Sequence, residues 1–283
     1  MKNIIVLLIF ACPLISCNEE IKTKNKEDRS KIVIENPTNN VGLSKDIVFI
    51  PLNPARGDKA PQAGAIYGNI RDTVATGYIG KFKDGFSSPT HIHNVTYRAI
   101  VMNGELHNAD ENAPMMWMPT GSAWTQPKGQ LHITAARGKN AMAYIEIDSG
   151  PYLVWPPYKN FQSDGRPINI HASNMIYLGK DESKLIEENC NAKIAYTWEK
   201  KNGENGYLLK LPAGFKGQIH SKGSIFYGII IKGNLAYTMP NIEKAINLDQ
   251  GSHFNSTAEA IHDVTTQEAS LVYIRTNNTF KVK

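Results

Sequence analysis

The sequence predicts an all-β fold built as two tandem barrels, and three observations point there. Helical periodicity is scarce beyond the first thirty or so residues. Short alternating or apolar runs recur instead, at Asp46–Ile50, Gly77–Phe82, Ala99–Met102, Met142–Ile147, Met175–Leu178, Gly206–Leu211, Ile225–Ile231 and Ser270–Arg275, bounded by Gly, Pro, Asn and Asp clusters. Many short strands at close spacing with such turns are the pattern of a barrel or sandwich. The third observation is that the chain repeats itself.

Gly77-Tyr-Ile-Gly-Lys-Phe-Lys-Asp-Gly-Phe86 aligns with Gly206-Tyr-Leu-Leu-Lys-Leu-Pro-Ala-Gly-Phe215, an offset of 129. In that register His91 falls on His220 and Gly104 on Gly233; with one inserted residue, Gly121 falls on Gly251 and His132 on His262. Recurrence in one register over half the chain marks a tandem duplication. The expected halves are residues 31–160 and 165–283, joined by the proline- and aromatic-rich Pro151–Pro167, which reads as an ordered linker.

The N-terminus reads as a leader. Lys2 precedes an apolar stretch, and Leu14-Ile15-Ser16-Cys17 follows, so residues 1–16 resemble a bacterial lipoprotein signal peptide with Cys17 as the lipidated residue. The stretch from Ile4 to Ser16, broken by Pro13, is too short to span a hydrocarbon core, which needs about 20 residues. Residues 17–30 are polar and read as a flexible tether. A lipid-anchored protein of the bacterial cell envelope, periplasmic or on the outer membrane, is the expectation, with the lipid as its only membrane contact. Cys190 is then the one other cysteine of the mature chain and has no internal disulfide partner.

Composition is that of an ordinary globular protein, with 41% hydrophobic and 20% charged residues, so a core of normal size can be buried. The net charge of +5 is spread along the chain without a basic stripe, which gives a nucleic-acid role no support. There is no Ser-His-Asp set, phosphate loop or dinucleotide fingerprint, so any chemistry must come from a metal.

The metal signal lies in the first half. Gly85 is followed by five residues and then His91-Ile92-His93, whose two imidazoles share one face of a strand. Tyr97 and the turn glycine Gly104 follow. Downstream, Gly121 leads through Pro127-Lys128-Gly129 to His132. This resembles the cupin superfamily, whose motifs read G-x5-H-x-H-x3,4-E-x6-G and G-x5-P-x-G-x2-H-x3-N. More narrowly, His91–Arg98 and Met116–Thr134 resemble a two-cupin family of unknown function, and more distantly the zinc-binding cupin domain of ChrR-type anti-sigma factors. The resemblance implies two jelly-roll barrels, with His91, His93 and His132 converging on one divalent metal ion (Fe, Zn or Mn), and a small-molecule ligand or substrate. By the same analogy the chain pairs as a homodimer.

The sequence departs from the pattern at two places. The family's glutamate falls on Tyr97 and its closing asparagine on Ala136. Some cupins that cleave diketones or oxidise thiols use three histidines without the glutamate, so the loss is compatible with catalysis. Tyr97 is open to three roles: weak ligand, hydrogen-bond donor to substrate, or packing. Glu146 replaces the missing carboxylate, as base or distant ligand, if its strand face points inward, and turns to solvent if it points outward. Trp117 and Trp124 are candidates to wall a substrate pocket or to fill the core. His107 is a candidate to support a ligand or simply a surface histidine. Arg98 is expected on the opposite strand face from Tyr97. In the second half the paired histidine is Lys222 and the glutamate position Phe226, so that barrel is expected to be a metal-free structural unit; His253 is near but fits no motif. Three functions remain: a metal-dependent enzyme of dioxygenase or Lewis-acid type, a binding or sensing module with a structural metal, and a pair of barrels that mainly builds an oligomer.

Overall fold

Period-two alternation decides which side of each strand meets a core. Along Ile133–Ile147, the side chains of Ala141, Ala143, Ile145 and Ile147 enter the first barrel, while Met142 and Tyr144 point the other way. The computed structural model describes residues 34–283. Cys17, the leader and the tether lie outside the described residues. Among the described residues no helix is long and apolar enough to cross a membrane.

The chain forms two jelly-roll barrels. The main sheet of the first runs in the order Ile168–Ile170, Ala123–Gln126, Tyr97–Ala109, Ile133–Ile147, Thr76–Phe82, Gln62–Tyr67 and Phe49–Pro51. The second barrel's main sheet runs Asn40–Gly42, His253–Ser256, Phe226–Lys232, Ser270–Thr276, Asn205–Leu211 and Lys193–Glu199. The six strands of the second sheet match the first six of the first in order, as duplication requires, and Phe49–Pro51 extends the first sheet by one. The second barrel is completed by a five-stranded sheet from Ile246–Leu248 to Phe280–Val282. In the first, Val154–Trp155 of the linker pairs with Ile92–His93, so the linker is part of the barrel wall.

The first strand of each repeat crosses to the other barrel. Asn40–Gly42 pairs with His253–Ser256, and Ile168–Ile170 pairs with Ala123–Gln126. The turns after them are anchored alike: the Ser44 amide donates to Ser252 Oγ and the Ala172 amide to Ser122 Oγ. The expected sequence halves and the barrels therefore differ at these two strands. Gly42 is required there, because a Cβ would sit 2.2 Å from the His253 ring. We expect Gly42→Ala to cost about 1–3 kcal/mol through overpacking, read as a lower urea midpoint at unchanged slope.

The two main sheets pack back to back. Ile79, Ile100, Met102 and Tyr144 of the first meet Leu208, Ile229, Ile231 and Tyr273 of the second in one buried cluster. Burial of this shared face ties the barrels together by the hydrophobic effect, and it directs the remaining faces of both sheets into separate barrel interiors.

Candidate metal centre

His91 and His132 are direct cross-strand neighbours that exchange both backbone hydrogen bonds, at 3.0 and 3.1 Å. Residues so paired present their side chains on the same face. His93, two residues on, joins them. One ligand nitrogen from each of the three lies within 4.8 Å of the others. His93 and His132 are buried and His91 is partly so.

The outer ring nitrogens fix the tautomers. His91 Nδ1 lies 2.9 Å from the Pro89 carbonyl, His93 Nδ1 3.1 Å from that of Leu153, and His132 Nδ1 3.1 Å from that of Gln130. A carbonyl only accepts, so each Nδ1 carries the proton and each Nε2 keeps its lone pair. This is how metal-binding histidines are oriented from behind. His91 Nε2 and His93 Nε2 stand 3.1 Å apart, two acceptors facing one another, an arrangement that a cation between them resolves. Burial holds all three imidazoles neutral: it lowers the His91 pKa, holds His93 well below the usual range, with the neighbouring histidines adding to the effect, and takes His132 to about 3. Neutral, oriented imidazoles are what a divalent ion requires.

Tyr97 stands where the carboxylate ligand was expected. Its hydroxyl lies 3.4 Å from His132 Nε2 and donates to Asn108 Oδ1 at 2.7 Å. Burial pushes the phenol up to about 12, so it stays protonated at neutral pH. Tyr152, from the linker, stacks on His93 with centroids 4.3 Å apart and places its hydroxyl 3.1 Å from His93 Nε2. The centre opens into a cavity of about 600 Å³ with apolar and aromatic walls that include Leu52, Phe86, Trp124, Ile145 and Trp155; among the described residues Arg56 is its one permanently charged lining residue. That size and lining suit a small molecule.

The structure sorts the other candidates. Trp124 is buried, stands edge-on to Tyr97 and lines the cavity. Glu146 does not join the histidines. It lies on the opposite strand face from Ile145, fully buried between the barrels, where it accepts hydrogen bonds from Tyr144 and Tyr273 at 2.9 and 2.7 Å. The reason is that the outer face of its strand is itself covered, so an outward carboxylate is buried rather than solvated. Arg98 shares that side, paired with Asp148 at 3.1 Å. His107 and Trp117 are not cavity residues either. His107 points away from the core residue Leu106, is buried, accepts from the Met116 amide and neighbours the Trp117 ring at 6.3 Å. Arg137 lies over the Trp117 ring, as a packing contact. Sequence reasoning missed Tyr152, Asn108 and Gln126. Tyr152 lies in the linker outside both motifs, and Asn108 and Gln126 are polar residues whose inward position shows only once register is known.

The second barrel corrects the alignment at one histidine. His262 pairs with Ile219, and His220 with Ile261. The position of His91 is thus taken by Ile219 and that of His93 by Ser221, while His220 faces outward to Glu259 at 2.7 Å. A one-residue slip turns every side chain to the other face. His262 is buried in a hydrogen-bonded nest, with Tyr237 at Nδ1 and Ser221 and Ser256 near Nε2, and stacks on Phe226. Burial lowers its pKa from 6.5 to about 3, and that of His253 to about 4. The unfolded chain therefore binds more protons below 6.5, so stability falls as pH drops through this window, by about 1.4 kcal/mol per unit for each group. We expect the acid slope of stability between pH 6.5 and 4, read from urea midpoints, to be shallower in His262→Gln by about 1.4 kcal/mol per unit.

Two jelly-roll barrels, one with three inward histidines from two facing strands that could hold a metal ion, define a tandem cupin fold. The chain belongs to the family described as a domain of unknown function, DUF4437, whose profile matches residues 40–283. No curated protein matches it by sequence. Among solved structures, a candidate dioxygenase from Nostoc punctiforme superposes with TM-score 0.66 at 12% identity, covering 86% of this chain and 84% of that one. The salicylate 1,2-dioxygenase of Pseudoaminobacter salicylatoxidans, solved as adducts with gentisate, gives 0.56 at 11% identity over 87% and 85%. Lactobacillus farciminis oxalate decarboxylase gives 0.56 at 10% over 89% of each chain. At these identities the likeness is one of fold, which hosts many activities.

Proposed function

We propose that this protein is a metal-dependent enzyme that acts on a small molecule in the first barrel, with dioxygenase-like chemistry as the leading reading. The observation that carries it is the set of three imidazoles, each protonated toward a backbone carbonyl and so keeping an unprotonated Nε2, with one ligand nitrogen from each within 4.8 Å of the others beside a cavity. His91, His93 and His132 would hold the ion. A divalent metal there supplies positive charge and open coordination positions, and iron adds reactivity toward dioxygen. The apolar wall excludes water and orients the substrate. Tyr97 and Tyr152 supply the polar groups nearest the histidines. The fold likeness to a salicylate dioxygenase, over 87% of this chain, is in keeping with an oxidative reaction.

The test is metal content with dioxygen uptake. Protein loaded anaerobically with Fe(II) is expected to hold one iron per chain and to consume dioxygen with a diketone, thiol or phenol. Tightly held zinc in the isolated protein, with no uptake after iron loading, would instead favour a binding or sensing role. We propose in addition that the mature chain begins at a lipidated Cys17 and resides in the cell envelope. Metabolic labelling with palmitate that persists in Cys17→Ser would refute this.

A further inference from the structure

The two phenols beside the histidines carry their protons in opposite directions, and a chain of amides fixes this. The Gln130 carbonyl can only accept, so Gln126 turns its Nε2 toward it at 3.3 Å. Gln126 Oε1 then faces Asn108 Nδ2 at 2.9 Å. Asn108 Oδ1 is left to accept from Tyr97 at 2.7 Å and from Thr134 at 2.8 Å. Reversing either amide would set two acceptors or two donors against each other in a buried site, which costs more than the bonds it breaks. Tyr97 therefore spends its proton on Asn108 and shows only lone pairs toward His132 Nε2.

Tyr152 is the opposite case. His93 Nδ1 donates to Leu153, so His93 Nε2 is an acceptor and the Tyr152 hydroxyl, 3.1 Å away, donates to it. An ion bound at His93 takes that lone pair. The Tyr152 proton then loses that acceptor while remaining beside the ion, with the Tyr78 hydroxyl as its other polar neighbour. Three neutral imidazoles leave a divalent ion with its charge uncompensated, and among the described residues no lining residue of the cavity is a carboxylate.

We propose that Tyr152 is the hydrogen-bond donor to an anionic oxygen ligand of the ion, and that the centre is specific for small oxygen chelators in their anionic form. This rests on the metal reading above. The ligand supplies the negative charge that the missing carboxylate would have supplied, and Tyr152 holds one of its oxygens. Arg56, on the cavity wall, has the sign that favours entry of such an anion.

Cobalt-loaded full chain titrated with maltol at mildly alkaline pH, followed by its visible spectrum and by calorimetry, tests this. The methyl ether of maltol has the same ring and no ionisable oxygen. We expect maltol to bind about 100-fold more tightly than the ether. Tyr152→Phe should weaken maltol about tenfold with one cobalt per chain retained, the loss expected for a hydrogen bond to a charged acceptor. An unchanged maltol affinity in cobalt-replete Tyr152→Phe overturns the role of Tyr152. If that variant does not fold, equal binding of maltol and its ether to the unaltered chain overturns the proposal instead. Failure to take up cobalt at all is a separate result, read by elemental analysis before any ligand is added, and it refutes the metal reading and this inference together.

Discussion

Replacing His132 by alanine is expected to leave the purified protein without its metal, while His220→Ala leaves metal content at one ion per chain. The contrast follows from register. His132 and His91 form one cross-strand pair that faces the cavity, whereas His220 is a residue out of step and turned toward Glu259. Two imidazoles make a poor site where three make a good one, since a stable divalent centre in a protein takes three or four ligands. Elemental analysis after exhaustive dialysis reads the result directly. Thermal unfolding gives an independent measure. An ion present at about 1,000 times its dissociation constant stabilises the native state by about 4 kcal/mol. The melting temperature of the unaltered chain should therefore rise on loading and that of His132→Ala should not. Full metal content in His132→Ala, or its loss in His220→Ala, would refute the assignment of the centre.

The second large effect is expected at Glu146, and it should be one of stability alone. The carboxylate is buried between the barrels, held by two phenols and facing Arg275, whose Nη1 lies 3.5 Å away. Arg275 is itself 2% exposed and reaches Asp148 and Glu204 as well, at 3.5 and 3.4 Å. Removing one member of such a network leaves the other buried with less compensation, at a cost of about 3–5 kcal/mol. Glu146→Leu should lower the melting temperature by about 10 °C, at about 2–4 °C per kcal/mol for a chain of this size. Glu146→Gln keeps an acceptor for the phenols and should lose about half as much. The double change Glu146→Leu, Arg275→Met should recover part of the loss, because it removes the stranded charge. Metal content should be unchanged in every case. Loss of the ion in Glu146→Gln would restore this carboxylate to the centre and overturn its placement between the barrels.

The contrast between these two sites shows what the sequence could convey. The histidines were legible because their spacing encodes geometry: a two-residue interval puts His91 and His93 on one strand face, and the second motif delivers His132 to the neighbouring strand. The barrels were legible because the duplication repeats their turn glycines. Glu146 was not, since alternation says which residues share a face and is silent about what covers that face. A strand in an isolated barrel turns its outer side to water; here the outer side is an internal layer, and only the packed pair of sheets reveals it. His220 was misread for a related reason. The offset changes by single residues between motifs, and a slip of one inverts the face, so identity of residue type gave a false match. The crossing strands Asn40–Gly42 and Ile168–Ile170 are each three residues long, too short to carry a periodic signal.

Counting along the strands, Ile147 and Thr276 occupy the same place opposite Tyr97 and Phe226, so Glu146 and Arg275 are one position of the ancestral barrel written twice. Two identical subunits related by a dyad must carry the same residue at that position, and a buried site near the axis would then confront like with like. Joining the copies in a single gene lifts that constraint. Acid can evolve on one side and base on the other, and the pairing that results makes each half a dedicated companion of its neighbour that can no longer be exchanged for a second copy of itself.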